Sequence, residues 1–439
     1  MAKWALLLPL LLGCYASHVA GGATDGSTNT RDAGSQDASR DSSMLTDSRP
    51  ADSGDASDSS ALDSGTGADC IDVSDPSSFD DPAISVTTGW HTCFATTSGR
   101  IYCQGKNLNG QTGQPSLELR TGLGPVAGVP PARRVISGHE HTCAITRAGE
   151  LYCWGDNRFG QLGVPSVEQA THVPVKVPLP DSVVEADAAG DHTCATLRDG
   201  RLLCWGSNDY GELGQGPPSN SARVPTQVPL VDVQSVSLGW HTTCAVTSAG
   251  EGFCWGLYQV VPDLLHPRLI FRFDPSILPV PLTSRSFSML ETGVDVRCGL
   301  ERAPARRMLC WGSADGPLGR RVLSPEADPS GTADRRFVYE PVPMAVSRLQ
   351  SVVHVDVADG RACAVQRNGR VRCWAGSAVG NPKRGICYAR RVVLGGTGPH
   401  ICTLSTEGVI TCWGDNTTGA IDPDGPGVEL NNPSRVWPP

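Results

Sequence analysis

The sequence predicts an all-β protein, a seven-bladed β-propeller that follows a disordered N-terminal tether. Three observations carry this. Cysteine pairs recur along the chain, each pair sits in a segment that reads as a β-hairpin, and both faces of those hairpins are apolar or small.

The pairs are Cys93/Cys103, Cys143/Cys153, Cys194/Cys204, Cys244/Cys254, Cys298/Cys310, Cys363/Cys373 and Cys402/Cys412. Six share one spacing, Cys298/Cys310 is longer by two residues, and the first four units repeat every 50 or 51 residues. In the second unit, residues 141–146 and 150–155 read as two short strands with Arg147, Ala148 and Gly149 between them. A three-residue hairpin loop wants a type I turn followed by a left-handed residue, a conformation that glycine adopts at least cost. The same glycine recurs as Gly99, Gly200, Gly250, Gly369 and Gly408. This loop sets the register: Thr146 faces Glu150, Ile145 faces Leu151, and Cys143 faces Cys153. Directly opposed residues share a face with Cβ atoms about 5 Å apart, a modest adjustment from disulfide range.

Two alternatives to bridged pairs stay open at this point. A structural zinc site would use close C-x2-C pairs with two more ligands, and no such spacing occurs. Buried thiol pairs without a bond are the other.

Each hairpin puts residues such as Cys143, Ile145 and Leu151 on one side and Ala144, Tyr152 and Trp154 on the other. A sheet with one wet face alternates apolar with polar residues. These sheets are therefore expected between neighbours, as propeller blades are. One strand precedes the hairpin (134–137, 183–186, 233–237, 352–357, 391–394) and one follows it (173–177, 224–228, 341–346). Four strands per unit and seven units place the propeller at residues 80–439.

The chain opens MAKWALLLPLLLGC. Lys3 and the apolar run 5–12 read as a secretory signal, too short to span a bilayer. Leu11-Leu12-Gly13-Cys14 resembles the bacterial lipobox, which implies that Cys14 is lipidated and anchors the chain. An ordinary signal with a chance cysteine is the alternative. Residues 1–20 thus read as a lipoprotein signal and 21–79 as a linker. Between 21 and 69, ten Asp against three Arg supply −7 of the chain's −9, with almost no large apolar residue. Such a stretch cannot bury enough surface to offset its ordering entropy. As a solvated spacer of about 50 residues it holds the rest roughly 40 Å from its anchor. An exported protein follows, on the outer membrane or cell surface, where disulfides persist. The remainder is near neutral at −3, without the broad basic field that nucleic acid requires.

The second unit, GHEHTCAITRAGELYCWGDN followed by Gly160-Gln161-Leu162-Gly163, resembles the regulator of chromosome condensation repeat, also called the BNR-type repeat in bacteria. The third unit has GDHTCATLRDGRLLCWGSNDYGELG and the first GWHTCFATTSGRIYCQGKNLNGQTG. The likeness weakens in units five and six and returns in PHICTLSTEGVITCWGDN. It implies the seven-bladed fold, with paired cysteines as in exported bacterial versions. The founding member is a nucleotide exchange factor for a nuclear GTPase, and a secreted relative inhibits β-lactamases through one propeller face. Neither role follows from the fold alone.

Chemistry is hard to find. His91, His141, His192 and His241 recur, one per blade, and are expected to close a turn by a hydrogen bond. Trp154, Trp205, Trp255, Trp311, Trp374 and Trp413 follow each second cysteine and are expected to pack between blades. Gln104 replaces tryptophan in blade one and is expected to leave a gap there. No P-loop, G-x-S-x-G, H-E-x-x-H or paired-carboxylate motif appears. No cofactor and no metal are expected.

Two insertions depart from the rhythm. Residues 257–283 fall between blades four and five, and 320–340 interrupt blade five. Arg320, Arg321, Arg335 and Arg336, with Arg306 and Arg307, are candidates for one basic partner-binding rim; neutral drift in surface loops is the alternative. Cys70 and Cys387 lack a hairpin partner, and a Cys70–Cys387 bridge would latch blade one to blade seven; two free thiols are the alternative. The expected function is a monomeric scaffold that binds a protein or glycan partner, with an exported polysaccharide enzyme as the alternative.

Overall fold

A computed structural model describes residues 80–437, apart from 217–220, 263–270, 282–284, 294–295, 305, 314–338, 347–348, 359, 376–385, 387, 396–399 and 423–428. The described residues form seven antiparallel sheets, six with four strands and one with three, and no helix. The sheets follow one another in sequence as blades one to seven: 83–125, 132–176, 183–227, 233–281, 287–345, 352–374 and 389–437. The first strand of every blade lines one central channel. The chain is a seven-bladed propeller.

The hairpin register matches the loop argument. Ile145 pairs with Leu151 and Cys143 with Cys153, and Gly149 closes the turn at φ 82°. Each cysteine of a second strand is bonded to one on the third strand of its own blade. The bridges are Cys93–Cys103, Cys143–Cys153, Cys194–Cys204, Cys244–Cys254, Cys298–Cys310, Cys363–Cys373 and Cys402–Cys412, with Cα atoms 4.0–4.2 Å apart. The longer loop of blade five still sets Cys298 opposite Cys310. All fourteen are buried except Cys373, which is partly exposed. Their sulfurs belong to the core between blades. Cys143, Ile145, Leu151 and Cys153 of blade two pack with Val183, Ala186 and Leu197 of blade three in one buried cluster. Each such aliphatic side chain stabilises the fold by about 1.5–3 kcal/mol relative to exposure.

Polar side chains join successive blades in a repeating relay. His91 Nε2 donates to Thr142 Oγ1 (2.6 Å), and Thr142 Oγ1 donates to the Gln111 carbonyl (2.8 Å), which also accepts from Trp154 Nε1 (2.9 Å). Because the hydroxyl proton is engaged by the carbonyl, the imidazole must carry its proton on Nε2. The same relay links His141 to Thr193, with Gln161 accepting, and His192 to Thr243, with Glu212 accepting. The histidines therefore bridge blades instead of closing a turn within one. His241 stands outside the relay. An extra residue before Cys244 puts Thr242 in the relay position, where it bonds Thr292 Oγ1 at 3.1 Å. The tryptophans pack between blades, as expected. The expected gap at Gln104 is absent, because its amide donates to the carbonyls of Ala420 (3.1 Å) and Ile421 (2.8 Å).

Blade four differs from expectation. Its third and fourth strands, Gly252–Pro262 and Phe271–Pro281, are eleven residues each and pair out to Pro262 and Phe271. The 257–283 insertion therefore lengthens the outer hairpin of this blade and does not fall between blades. Its run of aromatic and β-branched residues favours strand.

Candidate binding site at the channel mouth

Antiparallel pairing sends the loop between the first and second strands, and the loop after the third, to the same end of each blade. At that end the invariant residues of the repeat go inward. Gly138 is small because a Cβ there would lie 2.2 Å from His141 Cε1. The residues between this glycine and the histidine vary from blade to blade: Trp90, His139-Glu140, Asp191, and Trp240-His241. All are partly exposed.

These residues form an aromatic line across blades one to four. Trp90 and His139 meet edge-on with ring centroids 5.2 Å apart, and His139 lies 5.2 Å from Trp240. Trp240 lies 5.8 Å from His241, which lies 4.4 Å from Tyr210, itself 39% exposed. His139 and Trp240 also line the channel.

Charges accompany the rings. Lys106 Nζ sits 4.1 Å above the Trp90 ring and makes a close ion pair with Glu140. Arg158 reaches Asp156 at 3.0 Å and Glu140 at 3.3 Å. Glu212 accepts from Ser207 Oγ and the Tyr210 N–H, 3.8 Å from His241 Nδ1. Asp191 is pushed up to about 6, first by burial and then by Asp156 and Glu140, with Arg158 and His241 opposing. Carboxylates outnumber Lys and Arg in this group, four against two.

Behind the mouth, backbone pairing fixes which residues face the channel. Asp187, Glu291 and Asp356 each oppose the first cysteine of their blade, so they share one layer. Arg134, Glu185, His354 and Arg391 form a second layer, two residues earlier along the strands. All seven line a channel of about 370 Å³. Part of their role is structural. Asp187 accepts the Leu238 N–H at 2.8 Å and Asp356 the Leu394 N–H at 2.9 Å, satisfying the inner edge of the next blade.

The cysteines take no part in this site. Cys103, Cys153, Cys204, Cys254, Cys310, Cys373 and Cys412 stand on the third strands, outward of the channel wall, and neither they nor their bonded partners line it. Their role is to fix each hairpin.

Of the six arginines of the expected basic rim, Arg306 and Arg307 are among the described residues. Arg307 is held by Glu301 at 2.7 Å, and Glu301 also accepts from Arg285 at 2.7 Å. Arg306 and Arg307 lie in the turn between the second and third strands of blade five, at the end opposite the aromatic line. Arg320, Arg321, Arg335, Arg336, Cys14, Cys70 and Cys387 lie outside the described residues.

The model of the regulator of chromosome condensation (RCC1) repeat matches residues 148–196 and 199–246. The human regulator of chromosome condensation is 38% identical over 88 residues, 20% of this chain and 21% of that protein. Protein pim1 of Schizosaccharomyces pombe is 32% identical over 273 residues, 53% of this chain and 47% of that protein. The chain thus spans about a fifth to a half of these two relatives. The structure of Prp20p from Saccharomyces cerevisiae, studied for its binding to Gsp1p and histones, superposes with a TM-score of 0.61 at 17% identity, covering 81% of this chain and 87% of that one. Residues 148–196 and 199–246, running from blade two into blade four, are thus similar to the regulator of chromosome condensation repeat, on a propeller whose fold is similar to that of Prp20p.

Proposed function

We propose that this chain is an exported, lipid-anchored scaffold that binds a partner through the aromatic line at its channel mouth, without catalysing a reaction. One observation carries this reading. The recurring His91, His141 and His192, their threonine partners, and Trp154 and Trp205 are consumed in bonds between blades, whereas Trp90, His139 and Trp240 occupy positions that vary and reach solvent. Rigid aromatic surface with flanking charge is what protein interfaces use as anchors. Seven disulfides are consistent with an oxidising extracellular setting. Residues 1–20 supply the signal, Cys14 the lipid, and 21–79 a tether to the propeller. Prp20p offers a parallel for protein binding by this fold.

The test is capture by the full chain against a Trp90→Ala/Trp240→Ala variant. A stoichiometric partner held by the first and lost by the second supports the reading; equal capture by both sinks it. Cys14→Ser should release the protein from membranes.

The second reading, a polysaccharide enzyme, draws on Asp191, a carboxyl raised to about 6 beside Asp156 and near Trp240. Product formation from a glycan panel, abolished by Asp191→Asn, would replace the first reading with it.

A further inference from the structure

The channel and its mouth together carry more carboxylate than the protein neutralises. Glu185 pairs closely with Arg134. That leaves Asp187, Glu291 and Asp356 with Arg391 as the remaining cation among the channel residues named above. The three carboxylates stand on blades three, five and six. They are too dispersed to chelate an ion: no three His, Cys, Asp or Glu side chains converge on a metal-sized site among the described residues. Each keeps acceptor capacity beyond the bonds it makes within the wall, although Asp356 already accepts one N–H on each oxygen, from Val357 and Leu394. Asp187 and Asp356 accept edge N–H groups, and Glu291 accepts from Ser237 Oγ at 2.9 Å. A fourth polar group is idle. Thr88, 6% exposed, lines the channel, and its hydroxyl has no partner among the described residues. The entrance is aromatic, and Trp90 already holds one ammonium over its face. Along the strands Glu291 lies two residues below the rim glycine Gly293 and Asp187 three below Gly190, about 7 and about 10 Å.

We propose that the channel receives one alkylguanidinium or alkylammonium group, carried by an arginine or lysine side chain of a partner protein, which passes the Trp90–Trp240 rim and ends among Asp187, Glu291 and Asp356. A planar cation with five N–H donors can bridge carboxylates too far apart for an ion. The narrow, low-dielectric wall concentrates its attraction. Burial is the first cause that pushes Asp187 up to about 6 and Asp356 to about 7, and raises Glu291 well above its usual range. The groups facing them are Glu185, Arg134, Arg391 and His354. An entering cation favours ionised carboxylates, so binding near pH 6 releases protons. This inference names the ligand for the scaffold reading and rests on it.

The probe is agmatine, which carries a guanidinium and an ammonium on one butyl chain, titrated into the full chain by calorimetry, with butylurea as an uncharged control that lacks both cations. Expected are saturable one-to-one binding at pH 8, none with butylurea, and proton release at pH 6 when buffers of different ionisation enthalpy are compared. Glu291→Gln and Asp356→Asn should each weaken agmatine at least ten-fold. Both keep an acceptor oxygen, and thermal melts check their folding. If neither variant folds, the butylurea and proton-release arms decide. No saturable agmatine binding, equal binding of butylurea, or unchanged affinity in both variants overturns the proposal. A Gly-Gly-Arg-Gly-Gly peptide should bind at least as tightly as agmatine; a peptide ten-fold weaker assigns the cation to a free polyamine and overturns the protein-borne part. Should agmatine fail while Trp90→Ala/Trp240→Ala still abolishes partner capture, this inference falls and the scaffold reading stands. Should capture be unaffected, the scaffold reading falls as well.

Discussion

His400 Nε2 lies 3.0 Å from Thr92 Oγ1, joining two residues 308 positions apart in sequence. It is the same bond that joins His91 to Thr142, now made from the last blade to the first. Blade seven takes all four of its strands from the C-terminal end and blade one all four from residues 83–125. The ring therefore closes by lateral contact, with no strand exchanged. Gln104 reaches Ala420 and Ile421, Trp437 Nε1 donates to the Asp81 carbonyl at 3.2 Å, and the Trp437 ring lies 5.0 Å from Phe94.

Breaking this seam should cost more than breaking an equivalent bond elsewhere, because blades one and seven are joined by no covalent linker among the described residues. Thr92→Val leaves His400 with a buried unmatched ring nitrogen, a loss of about 1–3 kcal/mol. Gln104→Ala removes two further bonds. The double variant should melt earlier than Thr193→Val, which breaks one internal relay, and should show faster proteolysis at the seam. Equal midpoints for the two would mean that closure is carried elsewhere.

Gly138 is the tightest point of the rim. A Cβ there would contact His141 at 2.2 Å and the Gly190 carbonyl at 3.0 Å. Gly138→Ala must move the His141 ring and disturb its bond to Thr193. Overpacking of this kind costs about 1–3 kcal/mol, and a denaturation midpoint measures it. Gly122, where an added Cβ would meet nothing within 4 Å, is the control and should change little.

Each disulfide closes a hairpin of about ten residues that already has its backbone bonds. Chain-entropy reasoning then limits the loss on removing Cys143 and Cys153 together to below about 3 kcal/mol. The Cys143→Ala/Cys153→Ala variant should fold, with the remaining pairs still mapping within their own hairpins. A cross-hairpin pairing in the mass map would contradict the blade assignment.

The parts of this molecule that repeat were legible in the sequence, and the parts that do not repeat were mostly missed. The hairpin register followed from Gly149 and its spacing to Cys153, because a short loop leaves the chain few choices. His400 was missed because blade seven lacks the His-Thr step. Its spacing of two before Cys402 was the available signal, and the same spacing would have excluded His241. Gln104 looked like a gap because an amide can replace an indole only if a carbonyl sits opposite, and Ala420 is 316 residues away. Trp90 and Trp240 were visible as GW before His in two blades, but nothing local says that this dipeptide faces a channel mouth. The channel carboxylates had a signal too: Asp187, Glu291 and Asp356 are charges inside short apolar strands, which need a reason. The six candidate arginines were judged from loop composition, which does not reveal that Arg307 has a partner, Glu301, across its own hairpin.

The response to pH sets two groups against each other. Burial is the main cause that pushes His91 and His141 down to about 3 and His192 and His400 to about 4, and it lowers His354 well below its usual range. The unfolded chain takes these protons near pH 6.5. A folded value below the unfolded one means that these groups contribute stability that is complete above about pH 6.5 and is lost as pH falls toward 4. At pH 5 His91, His141, His192 and His400 each cost about 2 kcal/mol. Asp187, raised to about 6, and Asp356, raised to about 7, run the other way, as does Glu291. Their contribution is complete below the unfolded value near 4 and is lost as pH rises through 6 and 7. With His139, also lowered by burial, and Asp191, raised to about 6, six histidines against four carboxylates leave a net loss on acidification, so the thermal midpoint at pH 4.5 should lie below that at pH 7. His141→Gln should make the acid fall shallower. Asp356→Asn should raise the midpoint at pH 8 and steepen the fall below pH 6. A His141→Gln profile parallel to that of the parent would show that this imidazole is not held neutral in the folded propeller, and the relay would need a different proton assignment.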